Sequence, residues 1–284
     1  MSIYRTLVET ETVAQHLDDP DWVICDCRHD LLDTRAGRRA YAEAHISGAR
    51  FLHLDDDLAS ARSGQNGRHP LPDASLLAAK LGGIGIGNAT QVVAYDGEGG
   101  MYAARLWWLL RWLGHEAVAV LDGGIGKWMA EGRPLTATLP VLAARPFERA
   151  PGALPVNATF VLTHLDRDGM QLVDARAADR YAGRNETLDP VGGHIPGAIN
   201  RSYKLNLDEH GSFKPAAALR EEFVSLLGAR DVREVVHQCG SGVTACHNLL
   251  AMEHAGLRGS RLYPGSWSEW CADSGRPIAT EADG

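Results

Sequence analysis

The chain has 284 residues, 45% of them apolar and 23% charged, which is ordinary globular usage and enough length for one large α/β unit or two domains of about 140 residues each. Its formal net charge of -8 offers no broad basic field, so neither nucleic acid nor an anionic membrane surface is expected as a partner. The cysteines are five, an odd number, scattered at 25, 27, 239, 246 and 271, which fits reduced thiols better than a disulfide framework.

The first twenty residues, MSIYRTLVETETVAQHLDDP, carry acidic side chains where a signal peptide is basic and lack its apolar core, so a cytoplasmic chain starting near Met1 is expected. WVICDC then reads as a strand, and Cys25 and Cys27, two apart on it, are poorly placed to bond each other. ASLLAAKLGG reads as a helix that LGGIGIG ends; that glycine run precedes the strand QVVAYD, whereas a dinucleotide-binding loop must follow one. Residues 101–120, MYAARLWWLLRWLGHEAVAV, are interrupted by Arg105, Arg111, His115 and Glu116, which leaves a buried helix and a strand rather than a membrane span. Further on, QLVDA and EVVHQC read as strands, and AALREEFVSLLG and ACHNLLAMEHAG as helices.

The landmarks of the first half recur in the second. Asp26 and Arg28 match Asp174 and Arg176, and His45-Ile46-Ser47-Gly48-Ala49 matches His194-Ile195-Pro196-Gly197-Ala198. QVVAYDGEGG matches EVVHQCGSGV, and LDGGIGKWMAEGRPL matches LYPGSWSEWCADSGRPI. Such self-similarity implies duplication. Residues 1–142 are read as one domain, 143–155 as a proline-rich linker and 156–284 as the other domain. Alternation of strand and helix in each implies a mainly parallel sheet with helices on both faces, a tandem α/β fold in which ligands bind beyond the carboxyl ends of the strands.

Cys239 lies at one such end. REVVHQ leads into CGSGVT and a helix from about Thr244, so Gly240 and Gly242 let successive N–H groups converge beside the positive end of the helix. A thiol at that focus is placed to act as a nucleophile. The aligned position in the first half is Asp96, which assigns the chemistry to the second half.

The double repeat, the C-G-S-G-V-T loop, the H-I-P-G-A segment and Y-P-G-S-W-S-E-W together resemble the two-domain rhodanese-like sulfurtransferases over essentially the whole chain. Within that family the loop is similar to that of the 3-mercaptopyruvate-using enzymes, since thiosulfate-preferring members carry two bulky, usually basic residues where Gly240 and Ser241 stand. The resemblance implies that Cys239 takes sulfur from 3-mercaptopyruvate as a persulfide held by the backbone of Gly240, Gly242, Val243 and Thr244. A thiol, cyanide or a reduced thioredoxin-like protein then accepts it. It also implies that Ser241 works with His69 and Asp55 in a proton relay. Asp56 and Asp57 stand beside Asp55, and a solvated acidic turn is the plain alternative for all three.

The resemblance further implies two arginines for the substrate carboxylate. The first is Arg180; the second is expected nine residues on, where Asp189 stands. Arg184, the nearest arginine, is either that ligand or a surface charge. No metal or organic cofactor is implied. Thiosulfate:cyanide sulfur transfer, or a non-enzymatic persulfide carrier, is the competing reading. Phosphate chemistry on such a loop needs an arginine where Ala245 stands, and the set His237, Cys239, Cys246 and His247 lacks metal-ligand spacing. Trp267 and Trp270 are read as core or rim aromatics, and Cys246 as a small buried residue.

Overall fold

The computed structural model describes residues 3–165, 167 and 169–280. The chain forms two compact units: Met1–Ser60 with Leu71–Ala153 and Glu209–Phe213, and Ala61–Pro70 with Leu154–Asp208 and Lys214–Gly284. Each unit therefore takes in a short segment from the other half of the sequence.

The first unit contains β1 (Leu7–Val8), α1 (Thr10–Gln15), β2 (Trp22–Asp26), α2 (Ala36–Glu43), β3 (His45–Ile46), β4 (Arg50–Phe51), α3 (Ala74–Gly83), β5 (Gln91–Tyr95), α4 (Ala103–Trp112), β6 (Val118–Leu121), α5 (Gly124–Ala130) and β7 (Leu135–Thr136). Five strands form a sheet in the order β1-β6-β5-β2-β4, parallel throughout. Both faces of β2 and β5 are buried, which is why these strands read as continuous apolar runs and not as alternation. Asp73 caps α3 by accepting from the N–H groups of Ser75 and Leu76, as a helix start requires. Val93, Tyr95, Ile46 and Trp128 lie in the core of this unit.

The second unit contains α6 (Ala158–Thr163), β8 (Gln171–Asp174), α7 (Ala178–Tyr181), β9 (Ile199–Asn200), α8 (Ala216–Leu227), β10 (Val235–Gln238), α9 (Thr244–His254), β11 (Arg261–Leu262) and α10 (Ser266–Trp270). Its sheet runs β11-β10-β8-β9, again parallel, and Pro155 bridges Leu262 where β1 pairs with β6 in the first unit. Val236, Tyr263, Trp267 and Trp270 lie in its core.

The repeat extends to side-chain contacts. Asp26 and Asp174 each take a forked pair of bonds from the arginine two residues on, with closest contacts of 2.6 Å and 2.7 Å. His45 Nδ1 meets the Tyr41 carbonyl at 2.7 Å, and His194 Nδ1 meets the Tyr181 carbonyl at 2.8 Å. Both tyrosine hydroxyls donate into the turn that follows, to the carbonyls of Ala49 and Ala198. The read helices and long strands are present. The two-residue strands β1, β3, β4, β7, β9 and β11 were not expected, because so short a run carries no period and is fixed by its pairing partners. No helix among the described residues is long and apolar enough to cross a membrane.

Candidate active site

Strand β10 delivers Cys239 to its carboxyl end, and the following loop runs through Gly240–Val243 into α9. Gly242 has φ +75°, and a Cβ there would sit 2.3 Å from the Pro264 carbonyl oxygen, so only glycine fits on two counts. The turn brings the Gly242 N–H to 3.2 Å from Cys239 Sγ. The segment 265–268 fastens the loop from outside. Ser266 Oγ accepts the Cys239 N–H at 3.1 Å, and the N–H groups of Trp267 and Ser268 donate to the carbonyls of Cys239 and Gly240 at 3.0 Å and 2.9 Å. With those two carbonyls taken up by the 265–268 segment, the Gly242 N–H of the loop is offered to the sulfur, as in an anion-binding turn.

Ser241 and His69 are both buried, and the Ser241 hydroxyl is hydrogen-bonded to His69 Nδ1 at 2.7 Å. His69 lies in the first half of the sequence, yet Ala61–Pro70 belongs to the second compact unit. Local contacts account for this: the Arg68 N–H donates to Ser268 Oγ at 3.0 Å, and Gly67, at φ +83°, passes so close to the Gly265 carbonyl that a Cβ would lie 2.9 Å from it. Asp55 belongs to the first unit, where its carboxylate is 3.9 Å from His29 Nε2. Thr244 opens α9.

Arg180 lies on α7 and forks onto Glu186, with contacts of 2.8–3.0 Å, and reaches Asp189 Oδ2 at 3.4 Å. Burial works to raise the Glu186 pKa, but the N–H of Leu188 and the Arg180 guanidinium outweigh it and hold the carboxyl below its ordinary value. Arg184 is exposed. The second guanidinium beside the cysteine loop is that of Arg68, which sequence reasoning missed: it is bonded to Asp189, and a Cβ on Gly240 would lie 2.7 Å from its Nη2. The signal available was its place next to His69. Ser266 was missed as well, because the aromatic residues around it read simply as core.

Burial disfavours the thiolate at three of the other cysteines. Burial pushes Cys25 up to about 12 and Cys271 to about 11, and raises Cys27 well above the usual range. Cys246 is buried and donates to the Gly242 carbonyl at 3.3 Å, where it braces the loop. In the first unit Asp96 occupies the position of Cys239, and its carboxylate accepts four N–H bonds, from residues 98, 100, 102 and 103, at 2.7–2.9 Å. That copy of the loop turns its N–H groups onto a carboxyl group of its own.

The rhodanese-like domain family matches the chain twice, over residues 9–131 and 157–273. A probable 3-mercaptopyruvate sulfurtransferase of Pseudomonas aeruginosa is 47% identical over 277 residues, covering 96% of this chain and 98% of that protein. The bovine (Bos taurus) thiosulfate sulfurtransferase is 35% identical, covering 94% and 92%. Among solved structures, the 3-mercaptopyruvate sulfurtransferase of Leishmania major superposes with a TM-score of 0.85 at 30% identity, covering 96% of this chain and 76% of that one.

Proposed function

The chain belongs to the rhodanese-like domain family, and from that premise we propose that it is a 3-mercaptopyruvate sulfurtransferase whose nucleophile is Cys239. The Cys239 thiolate attacks the sulfur of the donor thiol. The carbon–sulfur bond breaks, its electron pair leaves as pyruvate enolate, and the enolate carbon takes up the proton that the donor thiol gives up. The enzyme is left as a Cys239 persulfide anion, facing the N–H groups of the loop. A thiolate or cyanide then attacks the outer sulfur and the Cys239 thiolate is restored. Small thiols and a reduced thioredoxin-like protein are the acceptors this reading entails, and five thiols with no disulfide among them accord with a cytoplasmic setting.

The observation that carries the reading is the buried hydrogen bond of 2.7 Å between Ser241 and His69. A hydroxyl backed by an imidazole can relay the single proton that this donor must move from sulfur to carbon. Thiosulfate has no proton to move and two negative charges to offset. The two guanidinium groups near Gly240 are both answered by carboxylates, Arg68 by Asp189 and Arg180 by Glu186, so the surroundings suit a monoanion better than a dianion. Asp55 enters the relay from the family resemblance.

Turnover of the two donors with cyanide as acceptor tests the proposal. We expect kcat/KM to favour 3-mercaptopyruvate, and Ser241→Ala to lower kcat on it by roughly a hundredfold while an added sulfur on Cys239 stays detectable by mass spectrometry. A preference for thiosulfate transfers the assignment to the thiosulfate enzymes. Persulfide formation without turnover on either donor makes the protein a carrier.

A further inference from the structure

Gly240 has space on its outer side, and that space is filled by two guanidinium groups. A Cβ built there lies 2.7 Å from Arg68 Nη2, 3.6 Å from Arg180 Nη2 and 3.7 Å from Arg180 Nη1. Each arginine is anchored from behind. Arg68 Nη1 is bonded to Asp189, while Arg180 uses Nε and Nη2 on Glu186. The anchoring carboxylates are the more deeply buried partners, with side-chain exposures of 3% for Asp189 and 4% for Glu186 against 19% and 20% for Arg68 and Arg180. The remaining guanidinium edges, Arg68 Nη2 and Arg180 Nη1, converge on one spot beside the nucleophile's neighbour.

The backbone keeps Arg68 in register with that spot. Its own N–H bonds to Ser268 Oγ at 3.0 Å, Ser268 in turn donates its N–H to the Gly240 carbonyl, and the next residue, His69, is bonded to Ser241. Arg68 and His69 thus run alongside Gly240 and Ser241, one residue for the donor's charge and one for its proton.

We infer that Arg68 is the second carboxylate-binding residue for the sulfur donor, with Asp189 as its positioning residue. This deepens the 3-mercaptopyruvate reading and rests on it. The carboxylate of the donor docks between Arg68 Nη2 and Arg180 Nη1, which sets its sulfur toward Cys239. The glycine at 240 follows from this, since a side chain there would displace the Arg68 head group. It also explains how the site works with Asp189 in a place where an arginine was expected: the carboxylate there holds a cation supplied from elsewhere in the chain. Charge-assisted bonds of this kind contribute enough that losing one weakens binding by roughly tenfold to a hundredfold.

The test pairs 3-mercaptopyruvate with its methyl ester, in wild type and in Arg68→Ala, Arg68→Lys and Gly240→Ala. The expected result is a KM for the acid raised by roughly tenfold or more in Arg68→Ala and Gly240→Ala, with a smaller rise in Arg68→Lys. In the two Arg68 variants kcat should stay near wild type and the ester should be unaffected, while Gly240→Ala is read through its KM for the acid against its KM for the ester. Gly240→Ala guards against misfolding, because it removes no hydrogen-bonding side chain and meets only the far end of the flexible Arg68 side chain. A parallel loss on acid and ester, or an unchanged KM, overturns the inference. Calorimetry of both compounds with full-length Cys239→Ser protein separates this inference from the reading beneath it. Arg68-dependent binding of the acid without wild-type turnover supports the site and sinks the reaction, whereas equal affinity with and without Arg68 sinks the site whatever the turnover.

Discussion

Ser266 has φ 54°, a left-handed conformation that costs a residue with a Cβ on the order of 1 kcal/mol. Its counterpart in the first unit is Gly124, at φ 57°, where the same backbone is free of that strain. The serine stands beside Cys239, and its hydroxyl accepts the Cys239 N–H and donates to the Tyr263 carbonyl at 2.9 Å. Ser266→Gly should therefore leave stability within about 1 kcal/mol of wild type, relief of strain offsetting the lost bonds, and yet lower sulfur transfer roughly tenfold because the nucleophile loses a support. Ser266→Ala keeps the strain, loses the bonds and should lower stability by about 1–3 kcal/mol. Urea titration beside donor kinetics reads both, and wild-type kcat in Ser266→Gly would remove Ser266 from the machinery. Cys239 could be proposed from its local motif, and Ser241 and His69 from the family resemblance, and the structure brings the latter two into hydrogen-bond contact. Ser266 and Arg68 were not legible, because each acquires its meaning from a partner distant in sequence: Cys239 is 27 residues from Ser266, and Asp189 is 121 residues from Arg68.

At the scale of elements, β10 shows what a histidine buried in a strand costs in acid. His237 is wholly buried with Nε2 3.1 Å from Met252 Sδ, and burial, aided by the positive charge of Arg201, pulls its pKa down to about 3 from 6.5. The unfolded chain takes up the proton first as pH falls. The neutral histidine therefore gives its full stability above about pH 6.5, and that stability drains at about 1.4 kcal/mol per pH unit down toward pH 3. His115 and His254, also lowered by burial, add to the slope in the same direction. Measured by urea midpoints between pH 7 and pH 5, above the range where most carboxylates titrate, His237→Gln should show a shallower decline than wild type; an equal decline would falsify this assignment. The strand itself was readable from its apolar run, and α9 from its pattern, with the helix beginning at Thr244 as read. The pH sensitivity was not readable, since a histidine in a strand gives no sign of its burial until neighbours close over it.

At the scale of the whole molecule, the sequence repeat gave the duplicated α/β fold but not the way the chain shares itself between its units. The exchange is small: Ala61–Pro70 goes to the second unit and Glu209–Phe213 to the first, where the Phe213 N–H bonds Asp122 Oδ1 at 2.8 Å. No composition or periodicity marks these segments, which are irregular in structure and are placed by a few specific bonds. The expected consequence is cooperativity, because unfolding either unit would withdraw a segment from the other, and for the second unit that segment carries His69. Asp96→Asn tests this from the first unit. Burial raises the Asp96 pKa while its four N–H bonds pull the other way, and an amide in its place leaves about two of those buried donors facing an NH₂ group, a loss of about 3 kcal/mol. For a chain of this size that lowers Tm by roughly 5–10 °C. If the shared segments couple the units, calorimetry shows one transition displaced as a whole, and sulfur transfer is lost along the same curve. Two separated transitions, with activity following only the later one, would mean that the second unit keeps Ala61–Pro70, and with it His69, after the first has melted.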